Sequence, residues 1–183
     1  PVQRFVEVIR TDLTSDATVD FVTSLAASLG KHAAVIGDDP GFIVNRLLLV
    51  YINHALWLLD LGHATAEQLD VAMREHAGYP MGPVELADLI GLDTCLEVIR
   101  TIHAATGREV DRPAASLVDH VAYGRLGRKS GMGYYDHSAG PLTLVSTDAA
   151  RETQLCEDLL VAYLGDAIDM NHSGYASRED IDA

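Results

Sequence analysis

A glutamate in an otherwise apolar segment is the first residue whose chemistry stands out. Glu7 lies in the segment 2–9, where both alternating sets of residues are largely apolar, a pattern typical of a strand buried on both faces. Burying a carboxylate is costly unless it is paired or protonated. Glu7 is therefore expected either to form a salt bridge with a nearby Arg or Lys, or to orient or tune a catalytic partner.

An amide, Asn45, also stands in an apolar segment, just after a predicted joint between two structural units. Asp39, Pro40 and Gly41 interrupt the chain, and an almost continuous apolar run follows from Phe42 to Leu61. Helical spacing predicts that Phe42, Asn45, Leu49 and Ile52 share one face. Asn45 either satisfies backbone groups at the joint or faces a ligand in a cleft between domains.

The third feature is a basic loop punctuated by glycines, residues 124–135, which ends in Tyr134 and Tyr135. Arg125, Arg128 and Lys129 form the one tight cluster of bases in the sequence, so a polyanionic ligand would bind here. A solvated loop with no ligand is the alternative.

Composition excludes several classes of function. The chain has 183 residues, of which 48% are hydrophobic and 22% charged, as in an ordinary globular protein. A formal net charge of -14 argues against binding nucleic acid or an anionic membrane. Two distant cysteines form no disulfide framework and indicate a reducing, cytoplasmic location. No run is apolar enough to span a bilayer, and no signal peptide is recognisable.

The elements that must position these residues fall into two groups. Residues 1–39 predict β-α-β, with Thr14 or Ser15 capping a helix whose buried face consists of Val19, Val22, Leu25, Ala26 and Leu29. Residues 40–140 predict only helices, including one that is capped by Thr65 and one that follows the turn at 78–83.

The chain also contains an internal repeat. Residues 163–183 align on residues 51–71 at a constant offset, with Tyr163 on Tyr51 and Gly174 on Gly62. Residues 146–183 are therefore predicted to begin a second helical domain.

Familiar catalytic and metal motifs are missing. The sequence has no G-x-G-x-x-G after a strand, no H-E-x-x-H, no C-x-x-C and no G-x-S-x-G, and its eight histidines are scattered. Neither a complete dinucleotide site nor a metal site is predicted.

Four separated segments together resemble the 3-hydroxyacyl-CoA dehydrogenase family. They are PVQRFVEVI at 1–9, DPGFIVNR at 39–46, GYPMGP at 78–83 with DLIGLD at 88–93, and GRKSGMGYY at 127–135. The resemblance covers residues 1–137, and the repeat that follows is similar to the start of a second C-terminal domain in longer bacterial members.

The resemblance implies a fold and an activity. The fold class is mainly α, with the C-terminal β-α-β remnant of a Rossmann-like domain, an all-helical domain and the start of a second helical repeat. Family members oxidise a 3-hydroxyacyl-CoA to the 3-oxoacyl-CoA with NAD, and the helical domain forms a homodimer. Glu7 is similar to the Glu of a catalytic His–Glu pair, Asn45 to the Asn that holds substrate, and Lys129 to a Lys that reaches the cofactor.

Elementary chemistry agrees with these roles. A neutral His can take the hydroxyl proton during hydride removal, and a buried carboxylate would orient and stabilise the resulting imidazolium. The expected His lies before Pro1, so this chain alone is predicted to be a fragment without activity. A helical dimerisation module without catalytic duty is the alternative, and both 3-hydroxybutyryl-CoA and 3-hydroxyadipyl-CoA stay open as substrates.

Overall fold

The computed structural model describes residues 4–182 and begins with a β-α-β unit. Strands β1 (Phe5–Arg10) and β2 (His32–Gly37) pair in parallel, with Glu7 opposite Ala34. Helix α1 (Asp16–Ser28) connects them, and the side chain of Ser15 accepts a hydrogen bond from the backbone N–H of Thr18 at its start. The predicted unit is confirmed, although the expected strand start at Val2 lies outside the described residues.

Burial in this unit is lower than the sequence pattern predicts. Of the described β1 residues only Val8 is buried, so the prediction of a strand buried on both faces is wrong. On α1, Val19 and Ala26 are buried, whereas Leu25 and Leu29 are 48% and 62% exposed. Two strands are too narrow a surface to cover more than a thin strip of the helix, which is why part of its apolar face stays open.

After β2, the regular elements of the described chain are helices, apart from two isolated β-bridges at Met132. Thr65 caps α3 reciprocally with Gln68, and Pro83 occupies the first turn of α4, as expected from their residue types. The bounds are α2 Val44–Asp60, α3 Ala66–Val71 followed by a π-helical turn Ala72–His76, α4 Pro83–Ile90, α5 Leu92–Thr106, α6 Ala115–Ala122, α7 Ala149–His172 and α8 Arg178–Ile181.

Helix α2 is the centre of the main hydrophobic core. Its Ile52 and Leu56 are fully buried among residues of α3 to α6, and Leu155 and Leu159 of α7 complete the same core. Asn53 is buried on the same helix, where its amide donates to the carbonyl of Arg112 and accepts from the backbone of Ala114. The amide thereby provides hydrogen-bond partners for backbone groups of the loop that crosses α2.

The internal repeat is reproduced in the helix boundaries. Helix α2 ends at Asp60 and α7 at His172, while α3 begins at Ala66 and α8 at Arg178. These are the positions that the sequence alignment pairs. The second copy packs against the first, and the aligned Tyr51 and Tyr163 meet edge to face with ring centroids 6.3 Å apart. That residues 146–183 form a separate domain stays a prediction.

A smaller core joins the β-α-β unit to the helices. Ala34 and Ile36 of β2 pack with Ile43, Leu47, Ala167, Met170 and Ala176. Helix α8 adds a polar link, because Asp180 lies 2.8 Å from the imidazole of His32. Helices α7 and α8 therefore bridge the joint at residues 39–41.

Within residues 4–182, no helix is long and apolar enough to cross a membrane, and no cluster of His, Cys, Asp and Glu could hold a metal ion. Cys95 and Cys156 are both buried free thiols.

Candidate active site

Glu7 reaches from β1 to the start of α2. Its Oε1 accepts hydrogen bonds from the backbone N–H of Ile43 at 2.6 Å and of Val44 at 3.2 Å. The first N–H groups of a helix have no partner within the helix and carry partial positive charge, so they bind a carboxylate well. The partners of Glu7 are thus backbone amides, rather than the Arg or Lys that one interpretation of the sequence expected.

The local backbone explains why α2 needs this distant cap. Ile43 occupies the N-cap position, and its side chain cannot accept a hydrogen bond. Gly41 has φ 85°, a left-handed conformation that favours glycine, and a Cβ there would also make a tight contact of 3.1 Å with the side chain of Ile102. Phe42 has φ 50°, a left-handed conformation that is rare for a bulky residue and is often found at functional sites.

Glu7 and Asn45 line one cavity of about 420 Å³, hereafter the β1–α2 cavity. Glu7 is half-buried and Asn45 is exposed, so a ligand can reach both. The other residues of its lining are apolar: Phe5, Val6, Ile9, Phe42 and Val44. A carboxylate and an amide thus face the same apolar space, a common arrangement for a small-molecule site.

The prediction that Asn45 shares one helical face with Phe42, Leu49 and Ile52 is wrong. Phe42 lies before the helix, which begins at Val44, and Asn45 is exposed while Leu49 and Ile52 are buried. The left-handed turn at residues 41–42 delays the helix start, and Asn45 consequently projects towards the cavity rather than into the core.

Tyr175 adds a hydroxyl close enough to Asp39 and Glu7 to feel their charges, and sequence reasoning missed it. Burial, together with the negative charges of Asp39 and Glu7, raises its pKa to about 12. The phenol therefore stays protonated at neutral pH, and it lies 3.5 Å from the carbonyl of Gly37. Nothing in the sequence indicates this position, because residue 175 meets β2 only through the packing of α7.

Lys129 does not line the β1–α2 cavity. Its ammonium pairs with Asp93 across the basic loop, and both side chains are exposed. This contact lowers the pKa of the Asp93 carboxyl. Arg128, the neighbouring base, donates to Glu85 at 2.8 Å. Lys129 is therefore already paired with a carboxylate, and its exposed ammonium keeps further N–H donors for an anion.

A buried aspartate explains the glycines of the basic loop. Asp88 accepts hydrogen bonds from the backbone N–H of Tyr134 and Tyr135, and His137 lies 2.8 Å from it. A Cβ on Gly127 would lie 2.2 Å from the Asp88 carbonyl oxygen, and one on Gly133 would lie 2.1 Å from its carboxylate. These glycines allow close packing around Asp88, which is a structural role.

Comparison with known proteins identifies a family and several relatives. A family model described as 3-hydroxyacyl-CoA dehydrogenase, C-terminal domain, matches residues 41–137, more than half of the chain. A 3-hydroxybutyryl-CoA dehydrogenase of Bradyrhizobium diazoefficiens is 46% identical over 137 residues, which are 75% of this chain and 47% of that protein. The mitochondrial hydroxyacyl-coenzyme A dehydrogenase of Homo sapiens is 42% identical over 138 residues, or 75% of this chain and 44% of that protein.

Solved structures agree with the sequence relatives. An (S)-3-hydroxybutyryl-CoA dehydrogenase from Ralstonia eutropha superposes with a TM-score of 0.70 at 41% identity, covering 74% of this chain and 48% of that one. A 3-hydroxybutyryl-CoA dehydrogenase from Escherichia coli gives a TM-score of 0.74 at 37% identity, covering 81% of this chain and 32% of that one. The chain spans about half the length of the curated relatives it matches.

Proposed function

This chain belongs to the 3-hydroxyacyl-CoA dehydrogenase family, and we propose that it forms the substrate side of an enzyme that oxidises a 3-hydroxyacyl-CoA to the 3-oxoacyl-CoA with NAD. The observation that carries this proposal is the convergence of Glu7 and Asn45 on the β1–α2 cavity. Two segments 38 positions apart in sequence supply a carboxylate and an amide to one space.

Glu7 is proposed to act on the proton acceptor of the reaction. A carboxylate beside a general base fixes the base's orientation and stabilises its protonated form. The two hydrogen bonds from backbone N–H groups at the start of α2 hold one oxygen of Glu7 in place, which leaves the second oxygen for that partner. Asn45 is exposed in the same cavity, where its amide can hydrogen-bond the acyl carbonyl and position the reacting carbon.

Among the described residues, Lys129 alone is proposed to contact the cofactor. In a parallel α/β unit the turn between a strand and the next helix cradles the phosphates through glycines, but here residues 11–15 contain none. NAD, which supplies the hydride acceptor when bound, is therefore proposed to bind mainly through residues outside this chain. Lys129 is proposed to contribute a cation to it, and no reaction step is assigned to that contact.

A chimera tests the catalytic roles. The NAD-binding part of the Bradyrhizobium diazoefficiens relative would be joined ahead of β1, and NADH formation from 3-hydroxybutyryl-CoA would be followed by absorbance. Glu7→Gln is expected to lower kcat/KM by about two to four orders of magnitude, as loss of acid–base support does. Asn45→Ala is expected to lower it by about two orders of magnitude, because the reacting carbon is no longer held in position. Glu97→Gln, an exposed carboxylate on α5, is the matched control.

The same assay separates the enzyme from its alternative, a helical dimerisation module with no catalytic duty. The paired packing of α2 and α7 through Tyr51 and Tyr163 supports the module, because equivalent residues that meet each other are typical of two-fold interfaces. Full turnover in both variants, or a folded chimera without turnover, would leave the module as the function. The 183-residue chain alone is expected to form no NADH, and turnover by it would contradict the proposed division of the site.

A homodimer through the helical part and a cytoplasmic location are also proposed. Val161, Leu164 and Ile168 of α7 are each more than half exposed and form an apolar face. Two unpaired cysteines suit a reducing compartment. Sedimentation of the wild type and of Ile168→Asp tests the dimer, since a charge on this face should shift the population to monomer.

A further inference from the structure

A larger cavity, of about 580 Å³, lies between the π-helical turn and the basic loop. Arg74 of the π-helical turn, Glu85 of α4 and Arg128 of the basic loop supply charged side chains to its lining. None of the described residues that line it also lines the β1–α2 cavity. We name this space the Arg74–Arg128 cavity.

Two guanidinium groups in this cavity share one carboxylate. Arg128 donates from Nη2 to Oε1 of Glu85 at 2.8 Å, and Nη1 of Arg74 lies 3.8 Å from Oε2. The Glu85 side chain is 11% exposed, whereas those of Arg74 and Arg128 are 37% and 42% exposed. One carboxylate neutralises one guanidinium, so the three side chains carry a surplus positive charge. The Arg74 contact is longer than a hydrogen bond, so its guanidinium keeps N–H donors for a ligand.

The buried acids near this cavity are bound by donors of their own. Asp88 accepts from the backbone N–H groups of Tyr134 and Tyr135 and lies 2.8 Å from His137. Asp70 accepts from two backbone N–H groups of α4 and from the hydroxyl of Tyr135. Both carboxylates are fully buried, and neither lines the cavity. The guanidinium groups are therefore the charges that a ligand in the cavity meets first.

Fixed backbone holds each of the two arginines. Arg74 stands in the middle of the π-helical turn, a rare conformation that is frequent at functional sites. Ala72 and Met73 beside it are fully buried, so the core anchors the turn. On the other side, Gly127 packs directly against the backbone of Asp88 and fixes the loop just before Arg128. Groups held in this way lose little conformational freedom when they bind a ligand.

We propose that the Arg74–Arg128 cavity binds the dianionic phosphate group of a small phosphate monoester. The planar guanidinium fork matches the oxygens of a phosphate and can bind two of them at once. A dianion can pair with both arginines, whereas the single negative charge of Glu85 balances only one of them. Of the three bases that the sequence groups in the loop, only Arg128 lines this cavity.

The remaining wall fits the organic part of such a ligand. Pro80, Pro141 and Leu142 give the cavity an apolar side opposite in character to its charged residues. A volume of about 580 Å³ lies within the range of small-molecule sites and exceeds what a phosphate ion alone would fill. The cavity is therefore suited to an ester rather than to inorganic phosphate.

Isothermal titration of the 183-residue chain tests the site with two probes, phenyl phosphate and inorganic phosphate. The titrations would be run at constant ionic strength and at about pH 8, where a phosphate monoester is a dianion. Phenyl phosphate is expected to bind severalfold more tightly than inorganic phosphate, because its ring covers the apolar wall. Inorganic phosphate binding as tightly as phenyl phosphate, or no binding by either, would overturn the proposal.

Substitutions separate a ligand site from ion pairs that only stabilise the fold. Arg74→Gln is expected to weaken phenyl phosphate binding by about tenfold or more, since a charge-assisted contact is lost. Glu85→Gln keeps the shape of the side chain but removes the negative charge beside the ligand, so binding should become severalfold tighter. Arg100→Gln, at an exposed position of α5, is the matched control and should leave binding unchanged.

The two variants also keep the test decisive. If Arg74→Gln binds as the control does, or if folded Glu85→Gln binds more weakly than the wild type, the arginines serve only to pair Glu85 and the proposal fails. Arg74 is partly exposed, so its variant answers the question even where Glu85→Gln does not fold. Neither measurement involves turnover, and the proposed function stands or falls separately in the chimera assay.

Discussion

The contact between Glu7 and the start of α2 allows a quantitative prediction that is independent of catalysis. Glu7→Ala removes an acceptor that holds two backbone N–H groups at 2.6 and 3.2 Å. Loss of an N-cap costs about 0.5–2 kcal/mol, and loss of a hydrogen bond to a charged group about 1.5–3 kcal/mol. The two descriptions overlap, and the carboxylate is only half-buried, so we expect a loss of about 2 kcal/mol.

Glu7→Gln separates hydrogen bonding from charge. The amide oxygen can still accept from Ile43 and Val44, so only the attraction between charge and helix dipole is lost, about 0.5–1 kcal/mol. Added salt should reduce the difference between Glu7→Gln and the wild type, because screening weakens that attraction. The neutral variant therefore keeps most of the stability that Glu7→Ala loses, and it is the cleaner choice for the kinetic test.

Urea unfolding and thermal unfolding of the 183-residue chain, both followed by circular dichroism, measure the two effects. For a protein of this size Glu7→Ala should lower Tm by about 4–8 °C. Glu97→Ala, at an exposed position of α5, should stay within about 0.5 kcal/mol of the wild type. The reasoning is refuted if Glu7→Ala is as stable as this control, or if Glu7→Gln is as destabilised as Glu7→Ala.

Other predictions concern the frame around the site. Gly133→Ala should destabilise by about 1–3 kcal/mol, because its Cβ would lie 2.1 Å from the Asp88 carboxylate. Gly165→Ala, in open space on α7, should instead stabilise by about 0.5–1 kcal/mol in the same unfolding assay, and equal effects would contradict the packing argument. Burial raises the pKa of Asp70 to about 7 from 3.8, so between these pH values the folded state binds a proton that the unfolded state has lost. The contribution of Asp70 to the free energy of unfolding therefore falls as pH rises from about 4 to about 7. Unfolding free energies at several pH values should show this slope in the wild type and lose it in Asp70→Asn; an unchanged slope would assign it to other groups. Lys129→Ala should change the stability of the chain by less than about 1 kcal/mol, since its ion pair is exposed, yet raise KM for NAD in the chimera; an unaltered KM would remove Lys129 from the cofactor site.

Local signals in the sequence determined most of the secondary structure. Ser15, Thr65 and Pro83 start helices because their side chains or fixed φ suit the first turn, whatever packs around them. The repeat aligned Gly62 with Gly174, and both have positive φ, near 70° and 72°. Such features depend on neighbours within a few residues, so a pattern can reveal them.

The sequence also determined which polar residues to consider, and the order of its four motifs determined the family. It could not determine burial, because that depends on how much sheet is present to cover a face: Leu25 and Leu29 fit a buried stripe but remain exposed. The position of Asn45 likewise depended on the left-handed turn at Phe42, which delays α2 by two residues relative to the predicted start.

Tertiary structure alone decided how distant groups meet. The hydrogen bond that the N–H of Ile43 donates to Glu7 joins residues 36 positions apart. The T-shaped contact of Tyr51 with Tyr163 joins residues still farther apart in sequence. Hydrogen bonds and packing act over a few ångströms in space and are indifferent to separation along the chain. The sequence therefore supplied the carboxylate, the amide and the apolar helix, and the fold decided that they border a single cavity.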